Sequence, residues 1–219
     1  MEVFRSLLIR NPLTMKFFLQ AALFVFAIIS ASVAHANAMD DFRSFMTGAQ
    51  SARAEFSQSV FDAKGKATQQ TKGSLAFVRP GKFRFQYEKP AQTIVGDGSK
   101  VWFYDQDLNQ VTIRKTEKAF ASTPAALLAG KAEVEAAFTL VAGGESEGMD
   151  WVIAEPKSKD AGIEKVRLGF AKNQLAAMEL FDAFGNRTRI TFSKLERNAK
   201  IDAKEFTFVP PKGADVVSE

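Results

Sequence analysis

The residue types behind most covalent chemistry in proteins are nearly missing from this chain. It has one histidine, His35, and no cysteine. Ser-His-Asp and Cys-His nucleophiles, Cys/His zinc sites and disulfides all need residues that the chain beyond His35 lacks. A lipid-modified N-terminal cysteine is excluded for the same reason. Carboxylates survive this test. Glu88, Asp97, Asp105 and Asp107 are the candidates for a carboxylate-based hydrolase, but all four fall near turn sequences, where solvated turn residues are the commoner outcome. No Gly-x-x-x-x-Gly-Lys-Ser/Thr loop is present to cradle a nucleotide phosphate. Aromatic side chains are plentiful instead. Phe77, Phe83, Phe85, Tyr87, Trp102, Phe103 and Tyr104 crowd a short stretch. Any one of them reads as ordinary core. Together they describe a broad apolar face suited to flexible hydrocarbon.

The elements that must position these residues begin after an export signal. Arg5, Arg10 and Lys16 precede an apolar run from Phe17 to Ile29, and the next residues end Val33-Ala34-His35-Ala36. A basic start, a short apolar run and small residues two apart are the three parts of a secretory signal. The run is shorter than the ~20 residues a spanning helix needs, and no second one follows. Residues 1–36 are therefore expected to be removed, with Asn37 as the new terminus. Met15 is a second candidate start. Loss of Glu2, Arg5, Arg10 and Lys16 lowers the formal net charge from +4 to +2, with both signs mixed, which does not suggest a nucleic-acid partner. Residues 37–219 are long enough for one domain with a sizeable core. Without disulfides, that core alone must stabilise an exported protein.

Asn37 to Gln50 reads as a helix, because Phe42, Phe45, Met46 and Ala49 recur at i, i+3, i+4 and i+7. Short β-branched and aromatic runs then alternate with turns. They lie around 54–60, 73–79, 83–87, 93–95, 100–104 and 110–114, with Pro80-Gly81, Pro90 and Gly96-Asp97-Gly98 among the breaks. Thr123-Pro124 opens a second helix, which Gly130 can end, and another helical turn or two should follow to Ala137. Strand patterns resume at 138–141, 151–153, 165–170, 176–181 and 188–192, and Phe206-Thr207-Phe208 closes the chain as a last one. About ten strands with a few short helices predict a mainly β protein. A long, strongly curved antiparallel sheet should carry helices on its concave side.

Several of these segments resemble the periplasmic outer-membrane lipoprotein carriers, the LolA family. They are Gly73 to Tyr87, with Arg79-Pro80-Gly81 at its centre, and Ile94 to Asp105 with Gln110-Val111-Thr112 after it. Phe56-Ser57-Gln58, Thr123 to Leu128 and Phe206 to Pro211 follow in the family's order and spacing. The resemblance covers essentially all of the chain beyond the signal, with Phe85 where Trp is the more frequent residue. It implies an incomplete, unclosed antiparallel β-barrel with a helical lid over a hydrophobic cavity, and Arg79 as the residue that holds the lid. The cavity would be lined by Phe83, Phe85, Trp102, Phe103 and Tyr104 with Leu127 and Leu128, under a lid helix whose apolar face is Phe42, Phe45 and Met46. Strand alternation prevents Trp102 and Phe103 from facing the same way. The resemblance further implies a monomeric carrier without cofactor or metal. It would take triacylated lipoproteins from an inner-membrane ABC transporter and pass them to a LolB-like outer-membrane receptor lipoprotein. The absence of cysteine matches the soluble carrier rather than the lipidated receptor. A related module for another apolar ligand is the nearest alternative.

Overall fold

A computed structural model describes residues 33–116, 124–130, 132–158 and 162–219. The expected signal up to residue 32, and Thr123 as a helix cap, lie outside these residues. Helix α1 (Val33–Gly48) contains the expected cleavage point after Ala36. It buries Ala38, Phe42, Phe45 and Met46 along one face, as the i, i+3, i+4 spacing requires.

Six strands follow as hairpins: β1 (Ser51–Phe61), β2 (Ala67–Val78), β3 (Lys82–Tyr87), β4 (Gln92–Asp97), β5 (Lys100–Asp105) and β6 (Gln110–Lys115). Two short helices, α2 (Pro124–Ala129) and α3 (Ala132–Ala137), separate them from β7 (Phe138–Ser146), β8 (Met149–Pro156), β9 (Ile163–Ala171), β10 (Gln174–Asp182) and β11 (Arg187–Arg197). Aspartates build two of the hairpin turns. Asp62 Oδ1 accepts from the Lys64 and Lys66 amides at 3.0 and 2.9 Å, and Asp182 Oδ1 accepts from Phe184 and Asn186 at 2.9 and 2.8 Å, the local side-chain bonding that suits Asp to turns.

Among the described residues all strands form one open sheet in the order β12-β6-β5-β4-β3-β2-β1-β11-β10-β9-β8-β7. Antiparallel pairing of β1 with β11, with Phe56 opposite Phe192, joins the two halves. The sheet wraps strongly. Phe77 on β2 and Phe170 on β9 are four strands apart, about 19 Å in a flat sheet. Yet one ring, Phe45 of α1, meets both, with centroids 6.3 and 6.1 Å away. Two glycines clear the concave side. A Cβ on Gly96 would fall on the Phe83 ring, and one on Gly73 would meet the Gln86 carbonyl and the Phe56 ring, close approaches that only glycine permits.

Three expectations are corrected. Phe206-Thr207-Phe208 is not a strand. Ala203–Phe206 is a 3-10 turn, because the Asp202 side chain accepts from the Lys204 amide and caps it. The last strand is β12 (Asp215–Ser218), and it pairs with β6 in parallel, so the sheet is not purely antiparallel. The described strands number twelve rather than about ten.

Candidate functional site

The concave face collects the apolar side chains of alternate strand positions. Across β1 to β5, one register row runs Ala52, Phe77, Phe83, Gly96, Val101, and the next runs Ala54, Leu75, Phe85, Ile94, Phe103. Phe83 and Phe85 are buried, as are Leu127 and Leu128 of α2, while Phe103 is half-buried against the same cluster. Phe56, Phe85 and Tyr87 stack further along, with neighbouring centroids 5.2 to 6.2 Å apart. Burial pushes the Tyr87 hydroxyl up to about 12.

Trp102 and Tyr104 do not join this interior. They alternate with Val101 and Phe103, so their side chains leave by the outer face, where Tyr104 meets Phe208 at 5.7 Å. Phe77 of the same early stretch takes a place in the interior instead. Phe170, Met178 and Ile190 join it from the second half of the sheet, where counting aromatics did not look. Strand alternation at 165–170 and 176–181 was the available signal.

Two helices cover the interior. Helix α1 lies on β7 to β10, and α2 lies on β2 and β3. Arg79, in the turn between β2 and β3, joins them. Its Nε donates to the Gly130 carbonyl at 3.1 Å and its NH2 to Leu128 at 2.8 Å, at the end of α2. Its NH1 donates to Phe45 at 3.0 Å, to Met46 at 3.2 Å and to Ala49, at the end of α1. The guanidinium also packs against both the Phe45 and Phe77 rings, 5.1 and 5.0 Å from their centroids, favourable for a cation over ring faces. The neighbouring Gly81 amide donates to Ala129 at 3.0 Å, from a residue with φ +71° that favours glycine. Carbonyls at a helix C-terminus lack intrahelical partners and carry partial negative charge, which is what a guanidinium fork satisfies. Arg79 is 7% exposed. Burial brings its pKa down to about 10, so it stays charged at neutral pH.

The carboxylates do not assemble into acid–base machinery. Asp97 Oδ1 accepts from Ser99 and Lys100 in the β4–β5 turn. Burial pushes its carboxyl up, but those bonds outweigh it and leave it below the ordinary value. Asp105 caps the turn at the other end of the sheet through the Leu108 amide, while Glu88 and Asp107 are exposed.

Asp41 of α1 is different. It is 6% exposed, and its carboxyl is pushed up by burial and by Asp150 and Asp40. A carboxyl whose folded pKa exceeds its unfolded one binds protons more readily in the native state. The contribution of this carboxyl to stability is then greatest at low pH and falls as pH rises through the raised value. Asp41→Asn is expected to raise the unfolding midpoint at neutral pH and to leave it unchanged near pH 3, checked by thermal denaturation at both.

Known proteins with similar sequences and folds can be set beside this geometry. A family model described as "Outer membrane lipoprotein carrier protein LolA" matches residues 47–209. An outer-membrane lipoprotein carrier protein of Dechloromonas aromatica is 52% identical over 188 residues, 85% of this chain and 90% of the relative. One of Methylobacillus flagellatus is 46% identical over 203 residues, 92% of this chain and 99% of the relative. Among solved structures, an uncharacterized conserved protein from Thermus thermophilus superposes with TM-score 0.52 at 14% identity, covering 83% of this chain and 96% of that one. That likeness is one of fold.

Proposed function

The chain belongs to the LolA family of outer-membrane lipoprotein carriers, and from that premise we propose that its apolar interior holds the acyl chains of outer-membrane lipoproteins while it carries them through the periplasm. The protein is a carrier and chaperone rather than an enzyme. Residues 1–36 act as its export signal. An inner-membrane ABC transporter loads it, and an outer-membrane receptor lipoprotein unloads it.

The observation that carries this reading is what now fills the interior. Phe42 and Phe45 of α1 are each 1% exposed, and the Phe45 ring sits between Phe77 and Phe170. The lid's own side chains occupy the space that hydrocarbon would take. Acyl chains therefore enter by displacing α1, and the apolar surface uncovered on both sides is covered again by cargo. At roughly 0.8 kcal/mol per buried CH2, three chains of about fifteen carbons lose roughly 36 kcal/mol in water. Free lipoprotein therefore does not cross an aqueous compartment at a useful rate. The carrier's hold must be weaker than a membrane's for delivery to occur, which is why loading is coupled to a transporter that hydrolyses ATP.

The test uses the natural absence of cysteine. Arg43→Cys on α1 and Lys82→Cys on β3, both exposed positions, take a pair of spin labels. A fluorescent fatty acid should bind the labelled protein and be displaced by a triacylated peptide, and the peptide should lengthen the label distance. A folded protein that binds neither ligand would overturn the reading. Mass spectrometry of ligand co-purified from the periplasm separates lipoprotein cargo from another apolar ligand.

A further inference from the structure

The outer face of the sheet holds a second, polar recess. Register places Arg53 of β1 and Arg84 of β3 on either side of Ala76 of β2. Adjacent strands lie about 4.8 Å apart, so the two arginine stems rise roughly 10 Å from each other. The methyl of Ala76 keeps the floor between them low. Ser74 and Gln86, opposed across β2 and β3, form the next row, and Glu205 of the 3-10 turn overhangs the group. Together these residues line a cleft of about 180 Å³, several times the ~30 Å³ share of one water molecule.

Its charge and its donors are unbalanced. The Glu205 carboxylate is paired with Arg53 NH2. Arg84 reaches only the Glu205 main-chain carbonyl, from NH1 at 3.3 Å, and forms no ion pair with a carboxylate among the described residues. Among the residues that line the cleft, two guanidiniums face one carboxylate; Glu196 opposite Arg53, and Glu55 opposite Ser74 and held by Lys194, flank it on the same face, and Arg84 keeps most of its five donors unspent. The Ser74 hydroxyl and the Gln86 amide add donors on the same wall.

We infer that this cleft binds a phosphate group, with Arg84 as its principal anchor and Arg53, Ser74 and Gln86 as supporting donors. A phosphodiester carries one negative charge, the excess of guanidinium over carboxylate among the lining residues, and its two free oxygens match the unspent fork of Arg84. The group can come from a phospholipid headgroup or from free phosphate. The cleft lies on the opposite side of the sheet from the apolar interior, so the two can be occupied together.

The test is titration of inorganic phosphate into the isotopically labelled full chain at constant ionic strength, read from arginine Nε and Gln86 side-chain resonances. Saturable shifts at Arg53, Arg84 and Gln86 are expected. Arg84→Gln should weaken them about tenfold or more, the loss of one charge-assisted fork, with Arg84→Lys between the two. Thermal unfolding of both variants confirms that the fold is kept. A parallel arm measures retention on vesicles of phosphatidylcholine with and without one-quarter phosphatidylglycerol. Retention that needs the anionic lipid and falls in Arg84→Gln assigns the headgroup as the source, and phosphate shifts without retention assign the free ion. Shifts that do not saturate, that chloride reproduces, or that persist in Arg84→Gln overturn the site. No acyl ligand enters the phosphate titration, so its failure leaves the carrier reading standing, and the reverse also holds.

Discussion

Glu179→Ala is expected to cost about 3–5 kcal/mol of stability, the usual result of removing one partner from a buried ionic cluster. Glu179 is 1% exposed, and strand pairing sets it between Arg167 of β9 and Arg189 of β11. Its carboxylate receives Arg167 NH1 at 2.9 Å and Arg189 NH1 at 3.4 Å, with Arg187 NH1 at 3.5 Å. Arg167 also stacks on Trp151 at 4.2 Å, and that ring packs over the bare backbone of Gly169. Alanine would leave three guanidiniums facing one another around an empty buried position. The remaining acid, Glu147, reaches Arg189 from an exposed position and cannot replace the lost centre. Equilibrium urea unfolding measures the loss. As a contrast, Glu55→Ala removes the exposed pair with Lys194 and should change stability by less than about 1 kcal/mol. Equal small effects for both variants would mean that the outer-face cluster is ordinary surface.

That cluster shows where reading the sequence stops. Glu179 stands in a segment whose alternation announces a strand, and the hairpin turn at 182–186 announces its partner. Nothing local says that Arg167, Arg187 and Arg189 converge on it, because that depends on the register of three strands. Most of the sheet was legible for the opposite reason. Its hairpins are written in local turn residues such as Asp62, Gly81 and Asp182, and its concave face in period-two apolar positions such as Phe83 and Phe85. β12 was missed because Asp-Val-Val-Ser is too short to show a period and its partner β6 is a hundred residues away. Phe206-Thr207-Phe208 has the right period for a strand, but the local side-chain cap from Asp202 won.

The interior was legible as a composition and less so as a list. Trp102 and Tyr104 belong to the aromatic-rich stretch, yet strand parity sends them outward, whereas Phe170 and Met178 reach the interior from far along the chain. The surroundings of Arg79 were the least legible. Its partners are main-chain carbonyls of α1 and α2, and a carbonyl has no letter in the sequence. A strand-end arginine before proline is unremarkable by itself, and only resemblance to a family of carriers singled it out.

Arg79→Leu is expected to fold, to accept lipoprotein, and then to fail at delivery, with transfer to the receptor reduced about a hundredfold. The closed state is favoured by the bonds from Arg79 to Leu128, Gly130, Phe45, Met46 and Ala49. Each hydrogen bond to a charged group contributes roughly 1.5–3 kcal/mol. Loss of about 3 kcal/mol in total already shifts an open–closed equilibrium about a hundredfold. The direct edge contact between the Phe45 and Phe77 rings does not depend on Arg79, so the interior packs, and helix-end carbonyls freed by opening are satisfied by water. Loading does not suffer, because it requires an open lid. Under the proposed carrier cycle delivery does, because cargo would leave when the lid's own apolar face takes its place, and without Arg79 the empty closed state would no longer outcompete the loaded one. Arg79→Lys keeps the charge but not the planar fork that spans both helix ends, and should fall between wild type and Leu. The measurement has two steps, release of lipoprotein from inner-membrane vesicles into solution and then transfer to purified receptor, with circular dichroism establishing that each variant is folded. If Arg79→Leu completes both steps at wild-type rates, the carbonyl network only holds the two helices in place and does not drive release.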